Sequence, residues 1–146
     1  MSDLGSDRHS IEKLIATEHR RLDSIFEEVL GALREGDEAA AVRDAFARLR
    51  EHVESHVSLE DRLYYPALRA LRPAHRDPLL AITAAHEVFR ARLAEIAASI
   101  EQGAFDAVDA ALQAFATSFG AHESAEERLL HQIDAELKSE AGTTAR

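Results

Sequence analysis

The chain has 146 residues, 46% of them hydrophobic, enough for one globular domain with a sizeable core. Its 27 acidic against 17 basic residues give a net charge of -10, which argues against nucleic acid or an anionic membrane as the main partner because both need a positive field. Cysteine is absent, which excludes thiolate zinc sites, cysteine-held iron-sulfur clusters and disulfides, and no segment approaches the roughly 20 apolar residues of a membrane span.

Residues 1–9 read as a mobile tail with no apolar run of signal-peptide length, so the expected compartment is the cytoplasm. A first helix is expected from Ser10, with an inward stripe of Ile15, His19, Leu22, Phe26, Val29 and Leu33 at steps of four and three, ending at Gly36. Asp37 then caps a second helix with the stripe Phe46, Leu49, Val53, His56, Glu60 and Leu63; Pro66 should stop or kink it, and Pro73 lies beyond its end. Asp77 followed by Pro78 marks the start of a third helix, with Ile82, His86, Phe89, Leu93, Ile96 and Ile100 on one side. Gly103 closes it. Asp106 is the expected cap of a fourth helix, whose stripe reads Phe115, Phe119, His122, Glu126, Leu129, Ile133 and Leu137, and residues 139–146 read as a disordered tail. Period-two alternation is missing and helix formers dominate, so the expected fold is all-α: an up-down-up-down antiparallel four-helix bundle over residues 10–138.

The two halves repeat. His19 and His86 lie 67 residues apart, as do Gly36 and Gly103; His56 and His122 lie 66 apart, as do Glu60 and Glu126. The run Glu60-Asp61-Arg62-Leu63 matches Glu126-Glu127-Arg128-Leu129. An approximate two-fold axis should relate the first two helices to the last two.

Each stripe also carries a polar residue where an apolar one belongs. Four imidazoles and two carboxylates facing a core cost several kcal/mol per unpaired charge, so something must compensate them together, and a metal centre does so. Residues four apart on a helix stand about 40° apart around the axis and ~6 Å along it. His56 with Glu60, and His122 with Glu126, therefore aim at neighbouring points, to which His19 and His86 each add one nitrogen. Six donors spread over two turns suit two ions better than one. With both carboxylates bridging, each ion gains two histidines and keeps room for an oxo or hydroxo bridge and an open position. Mixed imidazole and carboxylate donors suit iron, with zinc and manganese as competitors. Ferritin-like di-iron proteins use Glu-x-x-His and more carboxylates. The histidine majority here favours reversible ligand binding or mild redox work over hydroxylation.

The pattern His19, His56-x-x-x-Glu60, His86, His122-x-x-x-Glu126, with the runs His56-Val-Ser-Leu-Glu60-Asp61-Arg62-Leu63-Tyr64-Tyr65-Pro66 and Phe119-Gly-Ala-His122-Glu-Ser-Ala-Glu126-Glu127, resembles the hemerythrin-like, or HHE cation-binding, domain over nearly the whole chain. The resemblance implies a non-haem di-iron site that binds dioxygen, nitric oxide or peroxide, in a family where oxygen storage, sensing, iron handling and peroxide removal are known. One position departs from it: oxygen-carrying members place a further histidine four residues after the third-helix ligand, and here that residue is Arg90. Plain oxygen carriage is correspondingly disfavoured.

Tyr64, four residues beyond Glu60, and His52, four before His56, are candidates for a seventh ligand, and a phenolate on ferric iron would point to peroxide disproportionation. Asp61 and Glu127 read as solvated charges paired to arginines, with hydrogen bonds to ligating imidazoles as the alternative. Phe26, Phe89, Phe115 and Phe119 read as core that keeps the site dry and lines the ligand pocket; His9, His75 and His131 lie off the ligand stripes. The leading reading is a monomeric di-iron protein that binds or senses a small molecule. Its rivals are a catalase-like or ferroxidase enzyme at the same centre, and a regulatory bundle that holds zinc or a variable metal, reports metal status by folding and needs a partner protein.

Overall fold

The computed structural model describes residues 11–36 and 38–144. Its elements are α1 (Ile11–Arg34), α2 (Ala39–Leu59), a π-helical turn (Glu60–Tyr64), α3 (Tyr65–Leu71), a 3-10 turn (Pro73–His75), α4 (Arg76–Glu101) and α5 (Phe105–Thr144). The π turn joins α2 and α3 into one rod. Four rods result, with α1 packed on α2 and α5, and α4 packed on the same two, which is the expected all-α bundle. Among the described residues no helix is long and apolar enough to cross a membrane.

The rods end where the backbone must reverse. Gly36 and Gly103 adopt φ of 69° and 73°, a left-handed conformation that costs a residue with Cβ about 1 kcal/mol or more. At Gly103 the motif is complete: its N–H donates to Ile100 O at 3.0 Å, and the Ala104 N–H donates to Ser99 O at 3.0 Å, satisfying carbonyls that the helix end leaves free. The expected caps Ser10 and Asp37, and the tail over 1–9, lie outside the described residues. The third and fourth rods start slightly earlier than their capping signals suggest, and Asp77 and Asp106 sit inside the first turns, where a negative charge favours the exposed N–H groups. Pro78 is accommodated there because a first-turn residue needs no N–H donor.

Two expectations are corrected. The segment from 139, read as a disordered tail, is helical as far as Thr144. Helix formers run through Glu136, Leu137, Lys138, Glu140 and Ala141, and Arg72 Nη2 pairs with Glu140 Oε2 at 2.5 Å, tying this last stretch to the end of the second rod. Secondly, of the stop or kink expected at Pro66 there is no stop: the rod continues, and its regular helix is interrupted just before the proline. Its missing N–H and its ring would disturb a regular turn, and the widened π turn just before it absorbs that conflict, with the Tyr65 N–H bonding to Glu60 O five residues back. The inserted residue rotates everything after Glu60. Leu63, expected inward, is therefore 56% exposed, and Tyr65 and Leu68 are buried instead.

The core falls into two apolar clusters. One, towards Gly36 and Gly103, contains Phe26, Val29, Leu49, Phe89, Leu93, Phe115 and Phe119; the other contains Ile15, Tyr65, Leu68, Leu79, Leu130 and Ile133. Between them lies a layer of buried polar side chains.

Candidate metal centre

That layer consists of His19, His56, Glu60, His86, Glu123 and Glu126, all buried, with His122 half-buried beside them. Glu60 is 1% exposed and Glu126 0%. Helical spacing explains the convergence: each rod reaches the layer with a residue on its inward stripe, and the i, i+4 pairs of the second and fourth rods each send in two.

The donors group in two sets that share a residue. His19, His56, Glu60 and Glu126 place one donor atom each within 4.8 Å of one another, and so do His86, His122 and Glu126. Glu60 reaches both: its Oε2 lies 3.3 Å from His56 Nε2 and its Oε1 3.3 Å from His86 Nε2. His19 Nε2 lies 2.8 Å from Glu126 Oε1, and His122 Nε2 lies 3.3 Å from His86 Nε2. All six expected residues are thus brought together.

The layer suits cations on its own chemistry. Both ring nitrogens of His19 and all four carboxylate oxygens of Glu60 and Glu126 are buried without a hydrogen-bond partner. Such orphaned groups cost on the order of 1–3 kcal/mol each, more when charged, and occur where something else satisfies them. Two donors at right angles, each ~2.1 Å from a shared ion, lie about 3 Å apart. The measured separations of 2.8 and 3.3 Å match that spacing. His19, His56, Glu60 and Glu126 fit one ion, and His86, His122 and Glu126 fit a second, with Glu60 spanning the two.

Electrostatics point the same way. Burial, with the nearby His56, lowers His19 to about 4, and burial with His86 lowers His122 to about 4, so both imidazoles are neutral at pH 7 and offer lone pairs. Burial, followed by the close approach and charge of Glu60, pushes Glu126 far up. Burial also acts to raise Glu60, but the close approach of His56, His86 and Glu126 outweighs it and holds the carboxyl low. Two carboxyls this close share one proton between them unless a cation takes its place and lets both ionise.

Hydrogen bonds from behind hold the His86 side in place. Because Asp61 is an acceptor only, His86 Nδ1–H donates to its Oδ1 at 2.7 Å and leaves Nε2 free to face the interior. Arg90 Nη2 donates to Asp61 Oδ2 at 3.3 Å, and Arg90 Nε donates to Glu54 Oε2 at 2.9 Å. The side chain standing where oxygen carriers have a further histidine therefore fixes the acid that orients His86. Asp61 serves both roles considered for it, hydrogen-bond acceptor for an imidazole and ion-pair partner of an arginine.

The remaining candidates sort by position. Tyr64 is half-buried against the Ile15 cluster, whereas Tyr65 is fully buried and its ring stacks on His86 at 6.1 Å. The π turn causes this exchange: counting four residues from Glu60 in a regular helix selects Tyr64, but one inserted residue turns Tyr65 inward. The Tyr65 hydroxyl has no hydrogen-bond partner. His52 is half-buried and belongs to neither donor set. Phe89 meets His122 edge-on at 5.0 Å, Phe119 stacks on His122 at 6.1 Å, and Phe26 and Phe115 continue the aromatic layer, so all four cover one side of the centre. His75 and His131 pair with Glu136 and Glu12, and His9 lies outside the described residues.

One buried acid was not expected. Glu123 directly follows His122, is 6% exposed and places Oε2 3.7 Å from His19 Nε2. Burial, then Asp23 and Glu127, pushes its carboxyl up to about 8. A step of one residue is about 100° around a helix, so the stripe pattern could not find it. The available signal was the charged residue wedged between two ligand positions.

Fold and site together define a helical bundle with a buried histidine and carboxylate layer fit for cations. A family model, described as the hemerythrin HHE cation binding domain, matches residues 10–133. The chain belongs to the hemerythrin HHE cation-binding family. No curated protein and no solved structure matched it.

Proposed function

We propose that this chain is a non-haem di-iron protein that binds or senses a small molecule, either dioxygen, nitric oxide or peroxide, at an open coordination position inside the bundle. His19 and His56 would hold one ion, His86 and His122 the other, and Glu60 and Glu126 would bridge them. The observation that carries the reading is the placement of Glu60, whose two oxygens face histidines of different donor sets at 3.3 Å each. A bound iron pair would supply reversible one- and two-electron chemistry with an oxo or hydroxo bridge.

The chain's own residues do the rest. Burial keeps His19 and His122 neutral, the rods aim all four histidines, Asp61 locks the His86 tautomer, and the phenylalanine layer excludes water from one side of the centre. Arg90 in place of a further imidazole leaves the His86 side with only two histidines. Neither ion is then saturated by nitrogen, which favours a sensor or peroxide-handling protein over an oxygen carrier.

Elemental analysis of protein purified without added metal tests the centre, with two irons per chain expected; zinc, or a single ion, overturns the reading. Anaerobic iron titration followed by visible spectra with oxygen, nitric oxide and peroxide in turn tests the ligand. A spectrum that reverses on degassing supports binding, and rapid oxygen evolution from peroxide supports an enzyme.

A further inference from the structure

Between α1 and α5 an open cleft of about 430 Å³ runs inward, lined by Asp23, Ser24, Glu27, Phe26, Ala116 and Glu123, among others. No lining residue is basic. Asp23 and Glu27 stand one helical turn apart, exposed at the mouth, and Glu123 lines the cleft from within the buried layer. The Glu123 Oε2 atom is buried, accepts no hydrogen bond and faces His19 Nε2 at 3.7 Å, while that same nitrogen faces Glu126 Oε1 at 2.8 Å. Acidic side chains thus succeed one another from solvent to the donor layer. Glu123 is not within the set of mutually close donors around His19, so it stands just outside that cluster.

We propose that this cleft is the path by which a hydrated divalent cation reaches the His19 side of the centre, with Asp23 and Glu27 as its outer stage and Glu123 as the last carboxylate before the donors. The inference rests on the metal-binding reading above. A neutral diatomic ligand gains nothing from a row of acids, whereas a cation is concentrated by them and keeps an oxygen ligand at every step as it sheds water. On the opposite side the acids near His86 are already partnered, because Arg90 pairs with Asp61, Glu54 and Glu87 behind that ring.

The test is stopped-flow uptake of Co2+ by metal-free protein, followed by the metal's visible absorption, with final metal content measured separately. Glu123→Gln keeps the shape and should load about tenfold more slowly to the same stoichiometry. The Asp23→Asn/Glu27→Asn pair should load about threefold more slowly and lose much of the wild type's salt dependence. Glu35→Gln/Glu38→Gln, which makes the same charge change at the far end of the bundle, should load like wild type. Wild-type rates in Glu123→Gln overturn the path, and a lower final content overturns it in favour of direct ligation. A wild-type chain that takes up no cobalt sinks the metal-binding reading itself. Helicity measured beforehand shows that each variant is folded.

Discussion

The His19 side and the His86 side of the centre descend from one repeated pattern but are held differently. In each, the acid after the motif glutamate faces the Nδ1 of the lone histidine from the other half of the chain. Asp61 sits 2.7 Å from His86 and is fixed by Arg90, whereas Glu127 sits 3.7 Å from His19 and is partly exposed. The π turn brings Tyr65 against His86, while on the His19 side Glu123 and an open cleft occupy the flank. Repetition therefore supplies a pair of similar donor sets, and local departures make one rigid and the other accessible.

The largest break in this comparison comes from the residues both sides share. Glu60→Ala or Glu126→Ala removes a carboxylate that touches both donor sets, and metal content should fall from two ions to one or fewer by elemental analysis. Retention of both ions with unchanged absorption bands sinks the bridging role.

Next in size is the contrast between the two supporting acids. Asp61→Asn should weaken metal binding roughly 10- to 100-fold, as loss of a ligand-orienting hydrogen bond commonly does, and Glu127→Gln should change it only about threefold. Equal effects, read by competitive titration with a chelator, show that the sides are equivalent.

Acid sharpens the picture in the metal-free protein. His19 and His122 are lowered to about 4 from 6.5 by burial and by neighbouring imidazoles, so the fold favours their neutral forms. The sign follows: this stability is present above pH 6.5 and is lost as pH falls towards 4. The raised Glu123 and Glu126 act in the opposite sense above pH 4.5, so the histidine contribution is read by difference. In urea unfolding without metal, the midpoint of His19→Gln/His122→Gln should fall less than the wild type's between pH 6.5 and 4. Glu126 is raised by burial and by Glu60, so it holds a proton at neutral pH, and cation binding must displace it. Calorimetry at pH 7 in buffers of different ionisation enthalpy should detect proton release on loading; no buffer dependence contradicts this.

The smallest expected effect is at Tyr65→Phe. Removing a buried hydroxyl that has no partner should leave stability unchanged or raise it by about 1 kcal/mol in chemical denaturation, and a loss above 2 kcal/mol shows an unrecognised bond.

How much of this was legible depended on sequence distance. The bundle, the turns at Gly36 and Gly103, and the convergence of His19, His56, Glu60, His86, His122 and Glu126 follow from helical periodicity, because positions on one regular helix have fixed relative directions. Residue pattern alone therefore determined that these six side chains lie on the inward stripes. Tertiary packing decided the rest: the π turn at Pro66 that exchanged Tyr64 for Tyr65 and exposed Leu63, the reach of Asp61 to an imidazole on another rod, and the burial of Glu123 against α1. Each of these depends on what a neighbouring helix presents or on one inserted residue, and neither quantity is periodic along the chain.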